Sequence, residues 1–409
     1  MPATSIFSKR LASRHVLGIS ALLATGAAVA CSSDPASSND LNPGSVADAG
    51  NGGSVDSGRA NDTDAGAGDA GGTNARDGAG HAGDAGADGG GSSLPSIASF
   101  VVGTNLSGAE FGSAVPGTVN VDYAIPTHQE VDYFVGKGFH FFRIGFSWER
   151  MQPALGQALD PTYLAQISDL VTYVTTKGAY ALVDPHNYAR YKNVVIGSTD
   201  PGAPTDVQFG DFWAKLAAPF ASNPLVVFGL MNEPNSMATE LWLRDANAAI
   251  AAIRATGANN VITVPGNNWT GAHSWSESGY GTPNSTVMLG VVDPLDNFIY
   301  EVHQYLDSDS SGTHADCVST TIGSQALTDF TAWLKTNHKR AILGEFGSAN
   351  NATCNAALDD MLHYIDQNRD VWAGWTWWSA GPWWGGYMYS IEPNNGADAP
   401  QLATLVKHL

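Results

Sequence analysis

Two glutamates, Glu233 and Glu345, close apolar runs in the same manner. One run reads Val226-Val227-Phe228-Gly229-Leu230-Met231-Asn232-Glu233-Pro234, the other Ala341-Ile342-Leu343-Gly344-Glu345-Phe346-Gly347. Runs this apolar are expected to be strands buried on both faces. Pro234 cannot continue a central strand, so Asn232 and Glu233 are expected at a C-terminal tip. A carboxylate there is costly unless something pairs with it or uses it. A lone Asn-Glu-Pro could equally be a glutamate capping a loop, but the pattern recurs. Arg143 lies in Phe-Phe-Arg-Ile-Gly, and other runs end in Asp184-Pro185-His186-Asn187-Tyr188, Glu301-Val302-His303-Gln304-Tyr305 and Trp375-Thr376-Trp377-Trp378. Any one of these could be a satisfied core group; six such tips are hard to explain as packing. Two facing carboxyls suit cleavage of an acetal C–O bond. One, protonated, releases the leaving oxygen, and the other, ionised, attacks or activates water. Arg143 beside one would favour its ionised form, and a His or carboxylate near the other would help keep it protonated. The residues alone do not say which is which.

Such side chains need a scaffold that brings strand tips together. From Leu94 onward apolar runs alternate with helical patterns eight times. The strands are predicted at 100–104, 140–146, 180–185, 226–231, 261–265, 298–302, 341–344 and 371–377. Helices are predicted at 162–176, 239–256, 322–337 and 354–368, among others. Repeated strand–helix units with apolar strands mean a parallel sheet, and eight of them over residues 94–409 predict a closed (β/α)8 barrel, a TIM barrel. The alternative is a doubly wound open sheet, which would carry a glycine-rich phosphate loop after its first strand. Val102-Gly103-Thr104-Asn105-Leu106-Ser107-Gly108 is not that fingerprint.

The first 93 residues differ in kind. Lys9, Arg10 and Arg14 precede a short apolar stretch ending Ala28-Val29-Ala30-Cys31, the layout of a signal peptide over residues 1–30 and too short for a comfortable membrane span. Small residues followed by Cys31 resemble a bacterial lipobox, which implies lipidation of Cys31. Alanine stands where that motif usually has leucine, so ordinary cleavage is the alternative. Residues 31–93 repeat Asp-Ala-Gly amid Gly, Ser and Asn. They lack the apolar surface to offset ordering and are expected to form a disordered, acidic tether. The whole chain has 409 residues and a net charge of −20 with only 19 basic residues, which argues against nucleic acid as a partner. Twelve Trp, 13 Tyr and 15 Phe are mostly core, though any that line a cleft would suit stacking on flat ligand faces. Cys31, Cys317 and Cys354 are the only cysteines, and none has zinc-ligand spacing. In an exported protein Cys317 and Cys354 are either one disulfide or two buried thiols.

The tip motifs together carry a resemblance. Met231-Asn232-Glu233-Pro234, Asp184-Pro185-His186-Asn187-Tyr188, Glu301-Val302-His303-Gln304-Tyr305-Leu306-Asp307-Ser308-Asp309, Gly344-Glu345-Phe346 and Ala380-Gly381-Pro382-Trp383-Trp384 are similar to those of glycoside hydrolase family 5 cellulases, especially the fungal-type endoglucanases. The likeness spans about residues 101–409. It implies that Glu233 is the acid/base and Glu345 the nucleophile of a retaining endo-β-1,4-glucanase. It also implies that Asn232 holds the sugar 2-hydroxyl, that Arg143 and Tyr305 lie against the nucleophile, and that His186 and His303 contact the sugar and the acid. Trp378 would be the sugar platform, with Trp377 the alternative one position away. A Cys317–Cys354 disulfide fits the same relatives. The likeness departs at His273, where an aromatic could stand. No carbohydrate-binding module is visible, so soluble or amorphous β-glucan is expected ahead of crystalline cellulose.

The expectation is therefore a monomeric cell-surface lipoprotein or secreted enzyme. Its partner is a β-glucan polysaccharide, it touches a membrane only through a lipid on Cys31, and it needs no metal or organic cofactor. The same barrel acting on β-mannan, xyloglucan or mixed-linkage glucan is the nearest rival. A non-catalytic glycan-binding lipoprotein is a rival from another class. A metal-dependent hydrolase would need several ligands on one ion, and neither an early His-x-His nor a His-Glu-x-x-His is present.

Overall fold

The apolar runs pair side by side into a closed ring. In the computed structural model the described residues are 96, 97 and 99–409; the expected leader, Cys31 and the linker lie outside them. The strands are β1 (Val101–Leu106), β2 (Phe141–Phe146), β3 (Tyr180–Pro185), β4 (Arg190–Tyr191), β5 (Val194–Val195), β6 (Val226–Gly229), β7 (Ile262–Pro265), β8 (Phe298–His303), β9 (Ala341–Glu345) and β10 (Trp372–Ala380). The ring runs β1-β10-β9-β8-β7-β6-β3-β2 and closes, with every pairing in it parallel. β4 and β5 form a separate antiparallel hairpin. The predicted (β/α)8 barrel is thus the observed fold.

All eight predicted strands are present, with shifted ends. β6 stops at Gly229, two residues before the predicted end. The Leu230 amide still donates to the Thr263 carbonyl, but the Asn232 amide is drawn across to the Pro185 carbonyl, and the chain turns there. β10 runs three residues past Trp377, because Ala380 pairs with Leu106 and accepts from the Ser107 amide. The regular eightfold alternation is corrected on the helical side. Long helices occupy His128–Gly136, Pro161–Thr176, Asp206–Ala217, Thr239–Ala255, Ile322–Thr336 and Ala352–Asp366. Between β7 and β8 there is only the short Asn284–Val287 turn of helix and a 3-10 turn, and after β10 only Leu402–Leu405 and another 3-10 turn. Gly266, Gly271, Gly279, Gly281, Pro283 and Gly290 break the first of these connections, since glycine and proline are the weakest helix formers. Elsewhere local chemistry favours the helices. Thr127 and Glu130 form a reciprocal capping box at one start, and Asp160 caps another with Pro161 at its first position.

The core has two parts. The larger lies between strands and helices. The smaller fills the bottom of the barrel with Val101, Phe141, Leu182, Val227, Ile299, Ile342 and Ala373, each from a different strand, plus Ile97 and Val261. Side chains alternate in and out along a strand, so the next inward positions toward the C-terminal ends follow directly: Arg143 after Phe141, Asp184 after Leu182, Glu301 after Ile299. The interior passes from apolar to charged within two residues. Cys317, on the loop after β8, is disulfide-bonded to Cys354 in the Ala352–Asp366 helix, with the Cα atoms 5.2 Å apart.

Candidate active site

Arg143 of β2 is the hub, with its guanidinium 1% exposed. Nε donates to Glu301 Oε1 (2.9 Å), Nη1 to Asn105 Oδ1 (2.9 Å) and Glu345 Oε1 (2.8 Å), and Nη2 to Asn232 Oδ1 (2.7 Å). Nη2 also lies 3.2 Å from Asp184 Oδ2. These five partners come from β8, β1, β9, the turn after β6, and β3. A planar fork with five N–H donors can serve such a ring; an ammonium with three cannot. Burial acts to lower the Arg143 pKa, but Asp184, Glu301, Glu345 and Glu233 outweigh it and the net shift is upward. A Cβ at Gly344 would lie 2.6 Å from Glu301 Oε1, so the glycine in β9 makes the space for this carboxylate.

Glu233 and Glu345 are both 3% exposed and face each other across His303. His303 Nδ1 is 2.8 Å from Glu233 Oε1 and 3.5 Å from Glu345 Oε2, and its Nε2 is 3.4 Å from Glu301 Oε1. One ligand atom from each of Glu233, His303 and Glu345 lies within 4.8 Å of the others. Tyr305 Oη donates to Glu345 Oε2 (2.9 Å). Burial pulls the His303 imidazole down, yet Glu345, Glu233 and Glu301 push it up to about 10. Burial pushes Glu301 up, but Arg143, His303 and the Thr263 hydroxyl bring it to about 2. Burial pushes Glu345 up, His303 and Arg143 pull it back, and the Glu233 charge pushes it up again, leaving it raised. Two buried carboxyls this close titrate as a pair in which the first proton is held tightly. Glu233 sits at φ 39°, a left-handed backbone that residues other than glycine seldom adopt; its place in the turn is held against that cost.

The other expected residues fall around this centre. Asn232 is buried, and its Nδ2 has no hydrogen-bond partner among the described residues. Trp378 is half-buried, whereas Trp377 is fully buried and donates to the Tyr389 carbonyl, so Trp378 is the more exposed of the two. Its ring stacks on His186 (centroids 5.4 Å apart) and meets Trp384 edge-on. The expected histidine contact with Glu233 is made by His303; the His186 Nδ1 instead pairs with Asp184 Oδ2 at 2.9 Å. His273 bonds through its amide and Nδ1 to Gln304 Oε1. Asn105, Thr263, Asp184 and Glu301 were not singled out as site residues by sequence reasoning. Glu301 carried a signal, two residues before His303 and hence on the same face of β8. A second cluster, Asp307, Asp309 and His314, could also hold an ion by its composition, but Asp307 already accepts from the amides of Gly312, Thr313 and His314.

The profile described as cellulase (glycosyl hydrolase family 5) matches residues 104–381. The chain belongs to glycosyl hydrolase family 5. Among relatives of this family 5 cellulase, the probable endo-beta-1,4-glucanase B of Aspergillus niger is 45% identical over 295 residues, 72% of this chain and 85% of its own length. The crystal structure of an endo-beta-1,4-glucanase from Xanthomonas axonopodis pv. citri is 46% identical, with a TM-score of 0.73, covering 76% of this chain and 98% of its own. XacCel5A, solved in complex with cellopentaose, gives 44% and 0.74, covering 76% and 99%.

Proposed function

We propose that this enzyme hydrolyses β-glucan by double displacement, with Glu345 as nucleophile and Glu233 as acid/base. It is an endo-β-1,4-glucanase, a retaining glycoside hydrolase that cleaves internal bonds of its polysaccharide. The observation that carries the mechanism is the short separation of the two carboxyls, with oxygens within 4.8 Å. That suits direct attack on the anomeric carbon; an inverting pair needs roughly 6.5–9.5 Å to admit a water. Glu345 has two fixed donors, Arg143 and Tyr305, and Arg143 is a permanent cation that works against the burial and the Glu233 charge raising this carboxyl; within the pair we assign Glu345 the ionised role and Glu233 the shared proton. Glu233 gives that proton to the leaving oxygen as Glu345 bonds to the anomeric carbon. Water then gives its proton to Glu233 and attacks the same carbon, and the Glu345 ester bond breaks. The free Nδ2 of Asn232 suits the sugar 2-hydroxyl, and Trp378 suits the face of the same ring. The cellopentaose complex of XacCel5A supports a cleft that accepts a run of glucosyl units.

Residues 1–30 as leader, Cys31 as a lipidated N-terminus, 31–93 as tether and 94–409 as catalytic domain remain part of this reading. A disulfide supports an exported, extracellular protein. No helix among the described residues is long and apolar enough to cross a membrane. The test is viscosity and reducing-sugar release on carboxymethylcellulose, with E345Q, barley β-glucan and galactomannan in parallel. Rapid viscosity loss that E345Q abolishes is expected. Turnover of mannan alone would overturn the substrate, and full activity in E345Q would overturn the mechanism.

A further inference from the structure

One buried carboxyl beside this centre takes no part in the steps above. Glu110 lies on the loop after β1. Its Oε2 accepts from the Gly108 amide at 2.8 Å, and its Oε1 is buried with no hydrogen-bond partner among the described residues. Burial pushes the Glu110 carboxyl up, and the charge of His186 is the main influence pulling it back. The two groups converge over Gly145 of β2. A Cβ built there would lie 3.3 Å from the Glu110 carboxyl carbon, 3.4 Å from its Oε2 and 3.4 Å from His186 Nδ1. Glycine at this position therefore lets a side chain from the first loop and one from the third strand tip meet above the second strand.

His186 is half-buried and held on three sides. Nδ1 pairs with Asp184 Oδ2, itself beside Arg143. One ring face stacks on Trp378, and Tyr188 meets the ring edge-on. The charged groups facing it are Asp184 from β3, Glu345 from β9 and Glu110 from the β1 loop; burial pulls the imidazole down and these three outweigh it. With Nδ1 taken, Nε2 is the nitrogen left for a ligand.

We propose that Glu110 is a positioning residue for the hydrolysis, holding the His186 ring together with Asp184 so that its Nε2 is presented to the glucosyl unit on Trp378. This rests on the reading that His186 faces the sugar. A mere cap of the Gly108 turn would require only an oxygen at Oε2, which glutamine also supplies. E110Q keeps that oxygen and the shape but removes the charge.

The experiment is a 15N titration of the His186 imidazole by NMR in wild type and E110Q, alongside kinetics on cellopentaose for E110Q, H186N and the double variant. In E110Q the His186 titration is expected at lower pH, because a nearby negative charge that favoured its protonation is gone. kcat/KM should fall about ten-fold, with the melting temperature held, and E110Q should cost nothing further in the H186N background. E110D, which retains the charge, should keep most of the titration shift. An unmoved His186 titration in E110Q, or an equal E110Q loss with and without His186, would overturn the proposal. Wild-type kinetics in H186N would overturn the sugar contact instead, while the titration would still measure the hold of Glu110 on the ring.

Discussion

The barrel interior holds two regions built from the same strands, one above the other. The lower is a plug of side chains such as Val101, Phe141, Leu182 and Ile342. The upper is the ring of Asn105, Asp184, Glu301 and Glu345 around Arg143. Both are almost completely buried, yet they obey different rules. The plug is stabilised by surface removed from water and by filled volume, and is indifferent to which strand supplies which methyl. The ring is stabilised only if every charge meets its partner, because an unpaired buried ion is far costlier than a small void. The lower region can therefore change shape and keep the enzyme active, whereas the upper region cannot lose one member without disturbing the rest.

The largest expected effects test the chemistry of the upper region. E233A should lose about 10²–10⁴-fold in kcat on carboxymethylcellulose but retain bond cleavage on an aryl cellobioside whose phenol leaves without protonation; E345Q should lose both. Equal losses on the two substrates in E233A would remove Glu233 as the acid. Next comes R143M, which strands Glu301 without its cation. It should destabilise by about 3–5 kcal/mol and lower kcat by about 10²–10³-fold, read from denaturant unfolding and turnover. L182A in the plug should cost a similar 2–5 kcal/mol or so, with kcat per folded molecule unchanged; a matching loss of turnover would erase the distinction between the regions.

The pH dependence of stability sharpens it further. His303 stands at about 10 against an ordinary 6.5. Its contribution is complete below about pH 6.5 and is lost as pH rises through about 10. Glu301 stands at about 2 against 4.5, so its contribution is complete above about pH 4.5 and is lost as pH falls through about 2. L182A should show both slopes at a lower melting temperature, and H303N should lack the alkaline one. The smallest effect is none: a chelator such as EDTA should leave turnover unchanged, because two carboxyls and water complete the reaction. Loss restored by a divalent ion would make Glu233, His303 and Glu345 a metal site.

The strand tips were legible because long apolar runs that end in charged or aromatic residues break a pattern. Each of the eight runs became a strand, and Arg143, Glu233, Glu345, His303 and Tyr305 came together as one contact set. Asn105 and Thr263 were not legible, since a small polar residue at a strand end is ordinary until its partner is known. The orientation of His186 toward Asp184 depends on a rotamer and on Gly145, neither of which leaves a mark on periodicity. Glu110 lies in a loop where spacing carries no information. The connection from Gly266 to Asn297 holds turns and short helices that no helical period announces, and its glycines show only that a long helix is excluded.

The hub also ties function to the order in which the chain folds. Arg143 meets partners 38, 89, 158 and 202 residues further along or back in sequence, and the first strand must find the last to shut the ring. Contacts of such long range form late and slowly, after the entropy of large loops has been overcome. No fragment short of the closed barrel assembles the site. During refolding, recovered hydrolysis would therefore time the closure event itself, while helix signals return earlier.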